Sequence, residues 1–261
     1  MGTDRRPGRA DAVRAAAVLL AAVLQIVAGA LGGTGAYGEP IGTVANSYPH
    51  PLLPAGTAFA IWSVIYVWIV ALAVRQALPG QRSRALHRAT GWWLVAAGVL
   101  NAAWVLTFGQ RWAVVAQVVI VALLVCLGAA LARASRIPAE GWPDRLLTQG
   151  AIAFYTGWVA VATMVGAVTT AVSLDAPVNA GVAVAVLLVA AVGLAWAATS
   201  ADAVLFFAVP VLWALFWIGE ATGDTAVRVV VAVVAAVVVL AILRRVVVAG
   251  RSATRRRIVW G

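Results

Sequence analysis

Three groups of side chains have the residue types and the spacing to bind a flat apolar molecule. Within each group the members are three, four or seven positions apart and so share one helix face; the groups are Trp62 with Tyr66, Asn101 with Trp104, and Tyr155 with Trp158 and Ala162. Aromatic rings stack on planar ligands, and indole, phenol and amide groups add single hydrogen bonds. If the three faces converge, they line a ligand pocket. Packing of the rings against one another is the alternative.

The sequence contains no catalytic or metal-binding constellation. It has no glycine-rich phosphate loop, and its histidine, cysteine and acidic residues form no cluster with metal-ligand spacing. None of the nine acidic residues lies in the middle of an apolar stretch, which speaks against proton pumping and ion-coupled transport. Lysine is absent, so a retinal Schiff base is excluded. We therefore predict no catalytic residues, no metal and no required cofactor.

The elements that carry the three groups are long apolar stretches. Of the 261 residues, 64% are hydrophobic and only 11% are charged, which is the composition of a polytopic membrane protein. A membrane-spanning helix needs about 20 apolar residues. Eight stretches reach this length, at 12–33, 53–74, 89–110, 112–132, 146–172, 177–199, 202–219 and 225–243. The predicted fold class is all-α, a polytopic membrane helix bundle.

The basic residues predict the topology of these spans. All nineteen are arginines, and seventeen lie near the chain ends or in alternate loops. By the positive-inside rule these segments are cytoplasmic, so both termini lie in the cytoplasm and the number of crossings is even. The net charge of +10 is spread over separate segments, so we expect anionic lipid headgroups as its partner and no nucleic acid. The arginine-only basic set and the Ala/Val richness suggest a GC-rich bacterial genome and hence a bacterial inner membrane.

Three motifs then carry a resemblance to a known family. They are "YPHPLLPAGTAFAIWSVIY" at 48–66, "LNAAWVLTFG" at 100–109 and "FYTGWVAVAT" at 154–163. In these motifs the sequence resembles the TspO/translocator proteins, also called tryptophan-rich sensory proteins and peripheral benzodiazepine receptor homologues. It departs from them at Phe59, one position closer to Trp62 than usual, and at Gly166, where many members have asparagine. Three further spans after residue 172 resemble the long, eight-span variety of the family.

The resemblance implies a five-helix bundle whose cavity is closed by the first loop and binds porphyrins, or in some members sterols. Carried over by residue, it places Trp62, Tyr66, Asn101, Trp158 and Ala162 at the ligand cavity, with Pro51 and Pro54 in the lid loop. Trp104 and Tyr155, which share helix faces with these residues, complete the predicted ligand-binding set. It also allows light- or oxidant-dependent porphyrin turnover, in which Trp62 and Trp158 would be the redox-active rings. Family precedent allows a homodimer, although the three added spans could cover its surface, and the small-residue pair Gly98 and Ala102 could seat a neighbouring helix or a second subunit.

The expected organisation is a TspO-like domain at 1–172, a three-helix extension at 173–249 and a basic cytoplasmic tail at 250–261. The expected function is binding of a porphyrin, another tetrapyrrole or a sterol-like molecule in a sensory or stress role. Two alternatives stay open: an uncoupled facilitator that moves a small apolar solute across the bilayer, and a structural membrane scaffold.

Overall fold

The computed structural model describes residues 8–200, 202–249 and 252–261, in which all regular structure is helical. Eight of these helices are long and apolar enough to cross a membrane. The helices are α1 (Arg9–Thr34), α2 (Ile41–Asn46), α3 (Ile61–Ala77), α4 (Ala85–Gly109), α5 (Ala113–Ala134), α6 (Trp142–Asp144), α7 (Ala151–Ser173), α8 (Ala180–Ser200), α9 (Val204–Ala221), α10 (Thr225–Val248) and α11 (Ser252–Trp260).

Two of the spans contain irregular turns. A 3-10 turn at Gly56–Ala60 leads into α3, so the second span is Gly56–Ala77. A π-helical turn at Arg145–Gly150 joins α6 to α7, so the fifth span is Trp142–Ser173. The prediction of an all-helical membrane bundle is confirmed, and the eight candidate spans coincide with the eight predicted stretches. The largest shifts in their bounds are about four or five residues, at helix ends.

Five of the spans form a closed ring. Going round it, α3 packs on α1, α1 on α4, α4 on α5, α5 on α7, and α7 returns to α3. The fifth span is the most buried, with every residue from 151 to 159 inside the protein. Gly98 of α4 lies so close to Ala21 of α1 that a Cβ added there would be 2.9 Å from the alanine Cβ. The small-residue pair predicted in α4 therefore seats α1 of the same chain at Gly98.

The last three spans extend from one side of this ring. Helix α9 packs along α7, α10 packs on α9, and α8 packs along α10. A Cβ added at Gly157 of α7 would be 2.9 Å from the ring of Pro210 and still closer to the carbonyl oxygen of Phe207. Glycine at 157 thus allows the backbones of α7 and α9 to approach each other at the proline. Only a minority of α8 and α10 is buried, and their apolar sequences suit contact with lipid.

Buried ion pairs tie the helices together at the arginine-rich end of the bundle. Asp11 of α1 binds Arg14 and Arg88, with nitrogen–oxygen distances of 2.7 and 2.6 Å. Asp144, before α7, binds Arg75 and Arg84 at 2.5 and 2.6 Å. Each aspartate neutralises two arginines, at least one of them from another helix.

The same pattern recurs in the C-terminal part of the chain. Asp202, between α8 and α9, binds Arg245 of α10 at 3.3 Å and Arg257 of α11 at 2.5 Å. Helix α11 is docked on the bundle, because Ile258 is buried and the ring of Trp260 lies 5.8 Å from that of Phe206.

The connection from α1 to α3, residues 35–55, covers the opposite end of the ring. Gly35 ends α1 in the left-handed conformation, with φ of 73°. Gly38 has φ of 81°, and a Cβ on it would lie 2.6 Å from the carbonyl oxygen of Gly109, so glycine is required there. We call residues 35–55 the lid, and its short helix is α2.

Candidate functional site

The three aromatic faces predicted from the sequence meet inside the five-helix ring. The ring of Trp62 stacks on that of Trp104, with centroids 6.2 Å apart and planes at 26°. It also makes edge contacts with Tyr155 and Trp158, at 6.0 and 6.2 Å, and a tilted contact with Tyr66 at 5.5 Å. Trp62 is therefore the centre of an aromatic cluster built from α3, α4 and α7.

A small cavity lies between this cluster and the lid. Its volume is about 60 Å³, enough for roughly four to six water molecules at about 10–15 Å³ each. Five of the predicted site residues line it, namely Pro54, Trp62, Trp104, Trp158 and Ala162. We call this space the aromatic cavity.

Two buried polar atoms at the aromatic cavity have no hydrogen-bond partner among the described residues. They are the indole Nε1 of Trp158 and the amide Oε1 of Gln117. The other end of the Gln117 amide is held, because its Nε2 donates to the carbonyl oxygen of Thr163 at 3.2 Å. An unmet donor or acceptor in a membrane interior costs several kcal/mol. One donor and one acceptor are thus available to a polar molecule in the cavity.

Gln117 occupies the space beside the glycine at which this sequence departs from the TspO pattern. A Cβ added at Gly166 of α7 would lie 2.6 Å from Oε1 of Gln117. The glutamine of α5 therefore brings an amide to the position that lacks one on α7. Gln117 was visible in the sequence as a polar residue at membrane depth, but its place in the site was not predicted.

Three of the predicted site residues do not line the aromatic cavity and instead lie towards α1. The hydroxyl of Tyr155 donates to Oε1 of Gln25 at 3.2 Å, and the hydroxyl of Tyr66 is 3.5 Å from Oδ1 of Asn101. Asn101 is fully buried, and its Nδ2 has no partner among the described residues. These residues form a second layer behind Trp62, joining α3, α4 and α7 to α1.

The lid is fastened to the helices around the cavity. Pro54 lines the cavity, whereas Pro51 does not. At one point the backbone N–H of Ala55 donates to the carbonyl oxygen of Trp217 in α9, at 3.2 Å. Just beyond the lid, Nε1 of Trp213 donates to the carbonyl oxygen of Ala58 at 3.0 Å. Helix α9 therefore holds the lid in place.

A histidine forms another fastening, to α7. The backbone N–H of Leu52 donates to Nδ1 of His50 at 3.2 Å, so the proton of the neutral ring belongs on Nε2, which lies 3.0 Å from Oγ1 of Thr169. Burial lowers the pKa of His50 to about 4. At neutral pH the ring is therefore uncharged and bridges the lid to α7.

At the outer edge of the lid, Glu39 forms an ion pair with Arg111, and Arg111 also donates to the hydroxyl of Ser47 at 2.8 Å. The guanidinium of Arg111 lowers the pKa of the Glu39 carboxyl. This exposed pair lies where α4 meets α5.

Sequence reasoning also missed apolar residues of the cavity wall. Phe59 and Phe108 belong to motifs quoted for the family resemblance, so a signal existed for them. The wall also includes Ala214 and Ile218 of α9. No signal marked these two, because alanine and isoleucine are common in any apolar span.

The eight spans and the covered aromatic cavity define a multi-pass helical membrane protein with a cavity inside its bundle. The TSPO-like protein family matches residues 14–244, which include most of α1 and all or nearly all of the other seven spans. The chain belongs to this family. Comparison with curated proteins finds no match, and comparison with solved structures finds none either.

Proposed function

We propose that the protein binds a porphyrin or a similar planar apolar ligand in the aromatic cavity and serves as a membrane receptor in a sensory or stress-related role. The observation that carries the proposal is the pairing of tryptophan walls with two unpartnered buried polar atoms, Nε1 of Trp158 and Oε1 of Gln117. Aromatic walls with a few fixed hydrogen-bonding groups are the usual composition of a site for a flat ligand.

The volume of the cavity means that binding must be coupled to rearrangement. Sites for drug-sized ligands measure about 300–1,000 Å³, whereas this cavity measures about 60 Å³. The lid covers it through Leu53 and Pro54 and is held by a few hydrogen bonds. Release of the lid, together with separation of the stacked rings of Trp62 and Trp104, would create the additional space. The proposal thus predicts slower association than for an open pocket.

Titration of the detergent-purified protein with protoporphyrin IX, followed by the porphyrin absorption band, tests the proposal. Ala162 lines the cavity, so Ala162→Leu fills it, and overpacking of about 1–3 kcal/mol corresponds to roughly 5- to 150-fold weaker binding. Trp158→Phe removes one hydrogen-bond donor and should weaken binding about fivefold. Ala236→Leu, on the exposed face of α10, and Trp92→Phe, at a ring that is 55% exposed, are the matched controls.

The structural scaffold is a second candidate, and the mutual packing of the aromatic rings around so small a cavity favours it. The same titration separates the two functions. Saturable binding that weakens in both cavity variants and in neither control supports the receptor. A folded protein without saturable binding, or one that binds equally well in all variants, contradicts it. Displacement of the porphyrin by a sterol would extend the ligand class to sterol-like molecules.

A further inference from the structure

A second and much larger space lies on the other side of α7. It measures about 1190 Å³ and runs between α5, α7 and α8, with its end at α11 and the link before α9. We call it the lateral groove. It exists because α8 packs along α10 and stands away from α5 and α7. Gln117 and Val161 line both spaces and so form the wall between the lateral groove and the aromatic cavity.

The body of the groove is apolar. Its walls include Leu124 and Leu131 of α5, Met164 of α7 and Val189 of α8. The hydroxyl groups of Thr156 and Thr163, which also line it, donate to carbonyl oxygens of their own helix, each at 2.7 Å. These hydroxyl protons are therefore already used in hydrogen bonds. The body of the lateral groove offers a hydrocarbon chain an apolar surface.

One end of the groove carries a concentration of positive charge. Three arginines and a single aspartate line that end, leaving two positive charges in excess; they are Arg136, Arg245, Arg257 and Asp202. Asp202 is already engaged by two of the arginines. The side chain of Arg136 makes no hydrogen bond or ion pair with any described residue, whereas its backbone N–H donates to the carbonyl oxygen of Arg133. The positive-inside rule predicts this end on the cytoplasmic side, where basic pockets between spans bind anionic lipid headgroups.

The length of the groove suits one lipid chain. Its lining residues on α5 run from Gln117 to Ala132, fifteen positions that rise about 22 Å at 1.5 Å per residue. Half of a hydrocarbon core of about 30 Å is about 15 Å. A chain whose headgroup lies at the arginines would therefore fit within the groove. Trp196, 70% exposed at the groove, is a residue type that favours the headgroup level of a membrane.

We propose that the lateral groove binds an acidic glycerophospholipid of the surrounding bilayer, with one acyl chain between α5, α7 and α8 and the phosphate beside Arg136 and Arg257. The site is separate from the aromatic cavity and does not depend on the function proposed for it. A zwitterionic lipid gains less at this end, because its headgroup carries a positive charge of its own.

Native mass spectrometry of the detergent-solubilised protein, titrated with dioleoyl phosphatidylglycerol or dioleoyl phosphatidylcholine, measures the selectivity. We expect saturable binding of one phosphatidylglycerol, at least fivefold tighter than phosphatidylcholine. Arg136→Gln should reduce phosphatidylglycerol affinity about fivefold, the effect of one basic residue near an anionic surface. Arg9→Gln is its matched control, because Arg9 is an exposed arginine of the same end that does not line the groove.

A second variant tests binding of the acyl chain in the apolar body of the lateral groove, independently of the arginines. A Cβ added at Gly193 of α8 meets nothing within 4 Å, and the residue lines the groove, so Gly193→Leu adds an apolar side chain to the groove wall. We expect roughly tenfold weaker binding of phosphatidylglycerol. Gly33→Leu of α1, where an added Cβ also meets nothing within 4 Å, is the control.

The proposal is overturned if both lipids bind equally tightly, or if Arg136→Gln and Gly193→Leu bind phosphatidylglycerol like the wild type. It is also overturned if inorganic phosphate at millimolar concentration displaces the lipid completely, since the site would then recognise the anion alone. Lipid selectivity that is lost in both groove variants and kept in both controls supports it.

Discussion

Replacement of Asp144 by asparagine should destabilise the protein strongly, because this one buried carboxylate neutralises two largely buried guanidinium groups. The Asp144 side chain is 2% exposed, and those of Arg75 and Arg84 are 13% and 14% exposed. The carboxylate accepts from Nη2 of Arg75 at 2.5 Å, from both terminal nitrogens of Arg84 at 2.6 Å and from the backbone N–H of Glu140 at 3.0 Å. Asparagine has a similar shape but no charge, so Arg75 would lose its carboxylate partner and Arg84 would keep only the exposed Glu140.

Breaking a buried ion pair by removal of one partner costs about 3–5 kcal/mol. At about 2–4 °C per kcal/mol for a chain of this size, the unfolding midpoint should fall by roughly 6–20 °C. Intrinsic-fluorescence melting in detergent measures it. The control is Glu140→Gln: Glu140 pairs with the same Arg84 at 2.6 Å, but its side chain is 79% exposed.

An exposed pair contributes about 0–1 kcal/mol, so Glu140→Gln should lower the midpoint by no more than about 4 °C. The double variant Asp144→Asn with Arg75→Gln should recover part of the loss, since it removes the guanidinium that has lost its carboxylate partner. Equal midpoints for Asp144→Asn and Glu140→Gln would refute the reasoning, because burial would then make no difference to the pair.

Further predictions concern the lid and the contact of α7 with α9. Because burial lowers the pKa of His50 to about 4 from its usual 6.5, the closed lid binds a proton less readily than the open lid. Closure should be strongest above pH 6.5 and weaken as the pH falls towards 4; hydrogen exchange of the lid measures this, and a His50→Gln variant with unchanged pH dependence would contradict it. Gly157→Ala should cost about 1–3 kcal/mol by overpacking α7 against α9, whereas Gly33→Ala, in open space, should not lower the melting temperature. Trp213→Phe removes the hydrogen bond to the carbonyl oxygen of Ala58 and should speed lid exchange by about fivefold; exchange at the wild-type rate would show that this bond does not hold the lid.

The membrane fold was predictable because the length of an apolar run is a direct physical requirement for crossing a bilayer. Helical spacing placed the residues of each aromatic group on one helix face but left open whether the three faces converge; the contacts of Trp62 with Trp104, Tyr155 and Trp158 bring them together. Spacing does not determine rotation about the helix axis. Tyr66 therefore shares a face with Trp62 and yet lies outside the cavity wall.

Ion pairs and helix contacts between residues distant in the chain could not be predicted from the sequence. The arginines were interpreted as topology signals, and nothing in their pattern showed that Asp144 would bind Arg75 of α3 and Arg84, the residue before α4. Such partners are set by the packing of helices distant in sequence. Likewise, the lateral groove exists because α8 packs mainly on α10 rather than on α5 or α7. Both α8 and α10 consist mainly of Ala, Val and Leu, and such sequences do not indicate which helix will pack on which.

The fastening of the lid to α9 has a consequence for how this chain can be divided. A fragment ending at residue 173 would contain all five helices of the ring, yet it would lose Ala214 and Ile218 from the cavity wall and Trp217 from beneath the lid. Lipid tails would then reach the stacked tryptophans from the side. For expression or for fusion to a reporter, the shortest fragment that keeps the wall of the aromatic cavity complete therefore ends after α9 and not after α7.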